Sequence, residues 1–169
     1  AEGDEQYEME TTESGASDTH MVEAGQIRKG GYIMVKGKAC KVKDVSVSKT
    51  GKHGHAKCKF SASCIFTGAT CEELCPSTHS IAVLFVKKND FQVMGLEGDY
   101  LQLMDEDMEM KEDLQLPNVD YKTDDDNKIS DQIKNIIEEI DGGAEIELYC
   151  TVMKAIGKEK VVEIKKKDA

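Results

Sequence analysis

The stretch Cys58-Lys59-Phe60-Ser61-Ala62-Ser63-Cys64-Ile65-Phe66 places an apolar residue at every second position from its first residue to its last. Because successive side chains of a strand point to opposite faces of a sheet, this spacing predicts a β-strand with one buried face. Thr67-Gly68 follows directly and predicts a turn. The stretch therefore indicates a small β domain in the first half of the chain.

Short β-branched segments with tight connections surround that stretch on both sides. The predicted strands are 32–35, 39–47, 58–66, 69–74 and 80–86, and Val45 and Val47 share one face of the second. Lys36-Gly37-Lys38 is predicted to be a turn between the first two. Five short strands with tight connections in about 55 residues are typical of a small β-barrel.

The second half of the chain repeats this style and adds a helix. Strands are predicted at 91–95, 100–104, 108–116, 145–152 and 161–165, with Pro117 ending the third. Three strands, a helix and two strands form the element order of a five-stranded oligonucleotide-binding (OB) barrel. The predicted fold class is therefore mainly all-β, with two small barrels in tandem.

The helix of this second half is predicted from a stripe of isoleucines. Ile129, Ile133, Ile136, Ile137 and Ile140 recur at the spacing of one helix face, so we expect the helix to pack on the second barrel. We predict that 124–127 is a polar loop, that Asn127 or Ser130 caps the helix, and that Gly142-Gly143 ends it.

Charge divides the chain into three parts, although the whole chain carries a net charge of −11. Residues 1–19 contain seven acids and no Lys or Arg, and residues 20–88 contain twelve Lys and Arg against four acids. Residues 89–169 contain ten Lys against twenty-two acids. We predict a disordered acidic tail at 1–19, a first barrel at 20–87 and a second barrel at 88–169. The basic middle part could contact phosphate groups.

Two features of the sequence argue against a membrane or secreted protein. The longest apolar run, Ile81–Val86, is far shorter than the roughly 20 residues that a membrane helix needs. The first residues are acidic and small rather than cationic and apolar, so we expect no secretion signal. The expectation is a soluble cytoplasmic protein with reduced cysteines.

The most unusual segment is Ser48-Lys49-Thr50-Gly51-Lys52-His53-Gly54-His55-Ala56-Lys57. It lies between two predicted strands, so it should form the tip of a hairpin, and its glycines permit backbone angles closed to other residues. A solvated basic turn is the simplest interpretation of this composition. A phosphate-binding loop of the P-loop type is excluded, because Ser46 and His53 stand where that motif needs Gly and Ser or Thr.

Other candidate sites are weaker. Cys71, Cys75 and His79, with Cys64, could be offered as zinc ligands, but structural zinc sites usually show two close pairs of ligands. We expect Cys58, Cys64, Cys40 and Cys150 to be buried free thiols. Met94, Met104, Met108 and Met110 are expected to fill small cores. No pair of acids suggests general acid–base catalysis, so neither an enzyme nor a metal site is predicted.

The loop 48–57 resembles the modification loop of the eukaryotic translation initiation factor 5A family, the hypusine-containing factor. The resemblance extends over roughly residues 20–165 and rests on further segments in the same order. These are Gly37 with Cys40-Lys41, Ile65-Phe66-Thr67-Gly68, Cys75-Pro76-Ser77-Thr78-His79, Asn89-Asp90-Phe91-Gln92, Tyr100-Leu101, Glu112-Asp113-Leu114 and Leu116-Pro117. It implies an SH3-like barrel followed by an OB-fold domain.

The resemblance also implies a site and a role. Lys52 would be converted to hypusine by deoxyhypusine synthase, which takes an aminobutyl group from spermidine, and by deoxyhypusine hydroxylase. The rest of the loop would contact the ribosome and tRNA through Lys49, Thr50, Gly51, His53, Gly54, His55 and Lys57. The factor would bind ribosomal RNA and peptidyl-tRNA near the exit site. It would promote peptide bond formation at stalled sites such as consecutive prolines and assist termination, without a cofactor or catalysis of its own.

The sequence departs from the family pattern at Ala39, in the acidic tail and in the long acidic stretch 118–143. Two alternative functions also stay open. One is a stand-alone protein that binds single-stranded RNA through residues 89–169; the other is a small metalloenzyme built on the cysteines with His53, His55 and His79. A homodimer is left open as well.

Overall fold

The computed structural model describes residues 19–49 and 56–169, which form two compact units. The first unit runs to Val86 and includes Ala155–Gly157. The second consists of Lys87–Lys154 and Lys158–Ala169. Each unit contains one β-sheet, so the prediction of a mainly β chain is confirmed.

The first unit contains six antiparallel strands. They are β1 (Thr19–Glu23), β2 (Tyr32–Val35), β3 (Lys38–Lys49), β4 (Ala56–Cys64), β5 (Thr70–Pro76) and β6 (Ser80–Leu84), and a 3₁₀ turn, Ala24–Gln26, follows β1. Their order in the sheet is β1-β6-β2-β3-β4-β5. The sequence predicted five of these strands and missed β1. That strand lies at an edge and buries little, so it lacks the alternation that reveals a strand.

The alternating stretch at 58–66 forms most of β4, which lies between β3 and β5 in this sheet. Cys58, Phe60, Ala62 and Cys64 are all buried on one face of β4, as predicted. Phe66 is also buried but lies in the turn after the strand. Burial of these side chains drives pairing of β4 with both of its neighbours.

A β-bulge in β3 brings two apolar pairs of residues to that same face. Val42 lies opposite Ala62, whereas Val45 lies opposite Phe60, because the register shifts between Val42 and Asp44. Strict alternation would turn Val42 and Val45 to opposite faces. The extra residue, Lys43, is exposed and absorbs the shift.

The second unit contains five strands and the main helix. The strands are β7 (Lys87–Glu97), β8 (Tyr100–Met104), β9 (Met110–Lys111), β10 (Ile146–Ala155) and β11 (Lys158–Asp168), in the sheet order β11-β10-β7-β8-β9. The helices are α1 (Pro117–Asp120) and α2 (Asp124–Asp141). This order agrees with the predicted sequence of elements, apart from the short α1. No helix in the described ranges is long and apolar enough to cross a membrane.

The prediction of a third strand at 108–116 was largely wrong, since only Met110 and Lys111 form β9. The carboxylate of Asp105 accepts hydrogen bonds from the backbone N–H groups of Asp107 (2.8 Å) and Glu109 (2.9 Å), which creates a tight turn. After β9 the chain is irregular, although Leu114 and Leu116 are buried in the core. Pro117 does not merely end a strand but opens α1 at its first position.

The prediction of a polar loop at 124–127 was also wrong, because these residues form the first turn of α2. The cap is Thr123 rather than Asn127 or Ser130. The Thr123 hydroxyl oxygen accepts from the Asp126 N–H at 3.1 Å, and the Asp126 carboxylate accepts from the Thr123 N–H at 3.2 Å. Ser130 is buried inside the helix, and its hydroxyl accepts from the backbone N–H of Asn118 at 3.2 Å.

Asp126 is buried because it has a cationic partner on another element. Its carboxylate lies 2.8 Å from Nζ of Lys160 on β11, and the two side chains are 1% and 8% exposed. The same Nζ lies 4.9 Å from the centre of the Tyr121 ring. A charge removed from water in this way is tolerated only with a close partner, so the ion pair links the start of α2 to β11.

The isoleucine stripe packs against the sheet as predicted. Ile133 and Ile136 are buried in the core of the second unit, and Ile129, Ile137 and Ile140 pack against it. Gly142 ends α2, and Gly143 follows with a positive φ of 106°, which confirms the predicted end of the helix.

The methionine prediction was wrong for three of four residues. Met94, Met108 and Met110 are 50%, 76% and 49% exposed. Met104 is partly buried. Met108 has a φ of 65° and lies in the Asp105 turn.

All six cysteines are free thiols. Cys40, Cys58, Cys64 and Cys150 are buried, as predicted; Cys75 is buried too, whereas Cys71 is only partly buried. Burial raises the pKa of Cys150 to about 12, with a smaller contribution from the nearby Asp90 carboxylate.

Replacing Asp126 with alanine should lower the free energy of unfolding by about 3 kcal/mol, because the substitution leaves the Lys160 charge buried and removes the carboxylate that accepts from the Thr123 N–H in the capping box. Urea unfolding followed by circular dichroism measures this. The matched control is Asp131→Ala on the exposed face of the same helix, with an expected change within about 0.5 kcal/mol. Equal losses for both variants would contradict the assigned role of the ion pair.

Cys150 should resist alkylation by iodoacetamide in the folded protein at pH 8, because its thiol stays protonated until the pH approaches about 12. Its labelling should lag behind that of the partly buried Cys71. Peptide mass spectrometry after timed quenching measures both rates, and denatured protein serves as the control in which the difference disappears. Equal rates in the folded state would contradict this prediction.

Candidate functional site

The candidate site is the end of the hairpin made by β3 and β4. These strands pair up to Lys49 and Ala56, which lie directly opposite each other. The six residues between them, Thr50, Gly51, Lys52, His53, Gly54 and His55, lie outside the described residues. Of the predicted site residues, the structure therefore places Lys49 at the end of β3 and Lys57 near the start of β4.

The two faces of this hairpin differ in character. On one face Val45 lies opposite Phe60 and Val47 opposite Cys58; on the other, Ser46 lies opposite Lys59 and Ser48 opposite Lys57. Since side chains alternate, Lys57 and Lys59 share the polar face, whereas Lys49 lies on the side of Val47. All three lysines are exposed, so both sides of the hairpin end carry positive charge.

Backbone hydrogen bonds brace the base of the hairpin from the neighbouring turn. The N–H of Ser77 donates to the carbonyl of Ala56 at 2.9 Å, and the N–H of Gly25 donates to the carbonyl of Ser77 at 2.9 Å. The N–H of Ala24 donates to the carbonyl of His79 at 2.8 Å. The 3₁₀ turn and the turn after β5 thus hold the point where β4 begins.

Sequence reasoning missed this bracing role. The segment 75–79 was noted only as part of a family resemblance and as a weak zinc candidate. The sequence does contain Pro76-Ser77 directly after a predicted strand, which is typical of a turn. This pattern does not predict which residues the turn contacts. Within 19–49 and 56–169, no group of three or more His, Cys, Asp or Glu side chains is arranged to hold a metal ion.

The second unit carries a separate groove of about 800 Å³. Phe91 and Tyr149 line it together with Lys88, Lys167 and the acidic turn 105–107. The Tyr149 hydroxyl donates to the Glu147 carboxylate at 3.0 Å, which raises the pKa of Tyr149, and Nζ of Lys167 lies 4.7 Å from the ring centre. Glu147 and Lys167 of the same chain therefore already contact Tyr149. The acidic turn 105–107 would repel the phosphate backbone of a nucleic acid.

Two family models match the chain, one over each half. Residues 17–79 match "Translation initiation factor 5A-like, N-terminal", and residues 85–165 match "Eukaryotic elongation factor 5A hypusine, DNA-binding OB fold". The predicted OB fold of the second half is thereby confirmed.

Curated relatives match over nearly the whole chain. Eukaryotic translation initiation factor 5A-1 of Arabidopsis thaliana is 41% identical over 163 residues, which is 96% of both chains. Factor 5A-2 of Saccharomyces cerevisiae is 36% identical, with 96% of this chain and 95% of the relative covered.

Solved structures agree with these relatives. A factor 5A family protein from Naegleria fowleri superposes with a TM-score of 0.78 at 42% identity, covering 88% of this chain and 99% of that one. Factor 5A from Methanococcus jannaschii gives a TM-score of 0.62 at 27% identity, with 88% and 96% covered. Matches of this identity over nearly the full length of both chains show that the chain belongs to the translation initiation factor 5A family.

Proposed function

We propose that this translation factor binds the ribosome near the exit and peptidyl sites and uses a hypusine at Lys52 to position peptidyl-tRNA. It thereby promotes peptide bond formation at stalled sites such as consecutive prolines and aids termination. The observation that carries the proposal is the strand register, in which the paired residues Lys49 and Ala56 bracket the six-residue segment containing Lys52. Membership of the family supports the same assignment.

The modification explains why a lysine is suited to this position. Deoxyhypusine synthase attaches an aminobutyl group from spermidine to Nζ of Lys52, and deoxyhypusine hydroxylase then hydroxylates the new arm. The product is longer than lysine and carries a second amine with its own hydrogen-bond donors. Such an arm can enter a cleft between RNA walls that a folded domain cannot enter.

The hairpin of β3 and β4, held at its base by backbone hydrogen bonds, would limit the movement of the hypusine side chain. Two paired strands resist bending better than a single chain, and the Ser77–Ala56 hydrogen bond fixes where β4 begins. Lys49 and Lys57 add positive charge on both faces beside the loop, which favours contacts to phosphate that position without reading sequence. His53 and His55 complete the proposed contact surface with Thr50, Gly51 and Gly54.

The proposed factor orients reactants that the ribosome supplies. Holding the end of peptidyl-tRNA in a reactive geometry lowers the entropic part of the barrier, which can amount to several kcal/mol for well-oriented reactants. No bond to the factor forms or breaks in this scheme, and no cofactor or second copy of the chain is needed. Its place of action is the cytoplasm, with the ribosome.

The alternative, a stand-alone protein that binds single-stranded RNA, would use the groove of the second unit. Phe91 and Tyr149 offer rings for stacking, but Asp105, Glu106 and Asp107 stand at the same groove. Binding of this kind normally combines stacking rings with a basic surface. The groove therefore favours the ribosomal proposal over this alternative.

Replacing Lys52 with arginine should abolish stimulation of polyproline synthesis in a reconstituted translation system, because arginine keeps the charge but cannot accept the aminobutyl group. The free energy of unfolding should change by no more than about 0.5 kcal/mol. The matched control is Lys59→Arg on the polar face of β4, which should retain full activity. Undiminished stimulation by the Lys52 variant would refute the proposal.

Protein isolated from the organism that makes it should carry a hydroxylated aminobutyl group on Lys52 and on no other lysine. Tandem mass spectrometry of the peptide spanning Lys52 measures this, and Lys49 and Lys57 act as internal controls in neighbouring positions. Unmodified Lys52 in native material would remove the mechanism while leaving family membership intact.

A further inference from the structure

The first unit brings five of the six cysteines together, a concentration that the proposed function does not use. Two pairs face each other directly across neighbouring strands: Cys40 opposite Cys64 on β3 and β4, and Cys58 opposite Cys75 on β4 and β5. Four of these side chains are buried on one face of the sheet. The two pairs differ in geometry and in chemistry.

Backbone hydrogen bonds distinguish the two pairs. The N–H of Ile65 donates to the carbonyl of Ala39 at 2.9 Å, and alternation along an antiparallel ladder then makes Cys40 and Cys64 a non-hydrogen-bonded pair. The Cα atoms of such a pair are about 4.5 Å apart, and its side chains are closer together than those of a hydrogen-bonded pair. This Cα separation falls within the range of about 4.4–6.8 Å that disulfides span.

The second pair falls at the other kind of position. The N–H of Ser77 donates to the carbonyl of Ala56 at 2.9 Å, which makes Cys58 and Cys75 a hydrogen-bonded pair with Cα atoms about 5.5 Å apart. Burial, followed by the nearby Glu73 and Cys58, raises the pKa of the Cys75 thiol. The Cα atoms of Cys58 and Cys75 are therefore farther apart than those of Cys40 and Cys64, and the raised pKa favours the protonated form of Cys75.

Cys64 lies at the end of β4, where the following turn surrounds its sulfur with donors. Burial alone would raise the pKa of Cys64, but hydrogen bonds from the Thr67 side chain and from the backbone of Thr67 and Phe66 outweigh burial, so the pKa is lowered. Thr67 is exposed and Cys64 is 7% exposed, so the Cys64 sulfur lies directly beneath a turn that solvent reaches.

Cys40 differs from Cys64 in that its pKa is raised. It is fully buried, and burial together with a hydrogen bond to Cys71 raises its pKa to about 12. Cys71 lies on β5, with β4 between its strand and β3, and its side chain hydrogen-bonds to Cys40. Cys64, and not Cys71, lies directly opposite Cys40 on the neighbouring strand, which is the placement that a cross-strand disulfide requires.

We propose that Cys40 and Cys64 form a reversible disulfide across β3 and β4 when the protein meets a hydroperoxide. The Cys64 thiolate attacks one peroxide oxygen, the O–O bond breaks, and the other oxygen leaves after protonation, as water from hydrogen peroxide or as an alcohol from an organic hydroperoxide, giving Cys64 sulfenic acid. The protonated Cys40 thiol gives its proton to the departing hydroxide as its sulfur attacks the adjacent Cys64 sulfur, and a water leaves. Two thiols are oxidised by two electrons, and one hydroperoxide is reduced.

The disulfide would connect β3 to β4 at the end of their ladder opposite the Lys52 segment. A disulfide directly across neighbouring strands departs from relaxed geometry, and strained disulfides are readily reduced. The site therefore acts as a redox-sensitive modification rather than a permanent crosslink. It is independent of hypusine at Lys52.

Reduced full-length protein is treated with hydrogen peroxide, alkylated, and digested with trypsin and chymotrypsin without reductant. The expected product joins Ala39–Lys41 to Ser61–Phe66 with two hydrogen atoms fewer than the separate peptides, and dithiothreitol restores both. This digestion separates Cys64 from Cys71, since cleavage after Phe66 falls between them. A link between Cys58 and Cys75, a link between Cys40 and Cys71, or six alkylated thiols would overturn the proposal.

Two variants test the roles of the residues. Cys64→Ser should abolish the crosslink, whereas the matched control Cys58→Ser, also buried on β4, should leave it intact. Thr67→Val, on an exposed turn, keeps both thiols and should slow crosslinking severalfold by removing one hydrogen bond to the Cys64 sulfur. An unchanged rate for Thr67→Val, or loss of the crosslink in Cys58→Ser, would overturn the assignment.

Discussion

The pairing of β3 with β4 is the interaction on which the first unit depends. It places β4 in the sheet interior, with Cys58, Phe60, Ala62 and Cys64 buried on one face. Along the same ladder, the closing pair Lys49 and Ala56 determines which residues belong to the loop. One ladder thus supports the core, the hairpin that bears the proposed modification site, and a pair of opposed thiols at its far end.

Stability and function are separated along this ladder. Apolar burial is concentrated towards Cys40 and Cys64, whereas the other end presents exposed lysines and is held by backbone hydrogen bonds from the turn after β5. Residues near the loop can therefore serve recognition without loss of the core. In the second unit, a buried ion pair between Asp126 and Lys160 connects the helix α2 to β11.

Much of the fold was predictable because its signals are local. Alternation in β4, the isoleucine stripe of α2 and Gly142-Gly143 at its end each depend on neighbours within a few residues. Two of the errors came from long-range contacts. Asp126 looks like a loop residue until Lys160, thirty-four positions later, makes its burial favourable, and β1 becomes a strand only by pairing with β6. For the site, the sequence predicted Lys52 and its loop, which stays a prediction, whereas the bracing by Ser77 was not predicted.

The sequence by itself determined two mainly β halves, the strand at 58–64, the helix face and the lysine loop that marks the family. These features follow from hydrophobic periodicity and from a short, unusual motif. Both patterns depend only on residues that are close together in the sequence. Only the tertiary structure decided that a bulge turns Val42 and Val45 to one face, that Asp126 is a buried anion and that Cys40 faces Cys64. Register and ion pairing join residues that are distant in the chain, so no local pattern can reveal them.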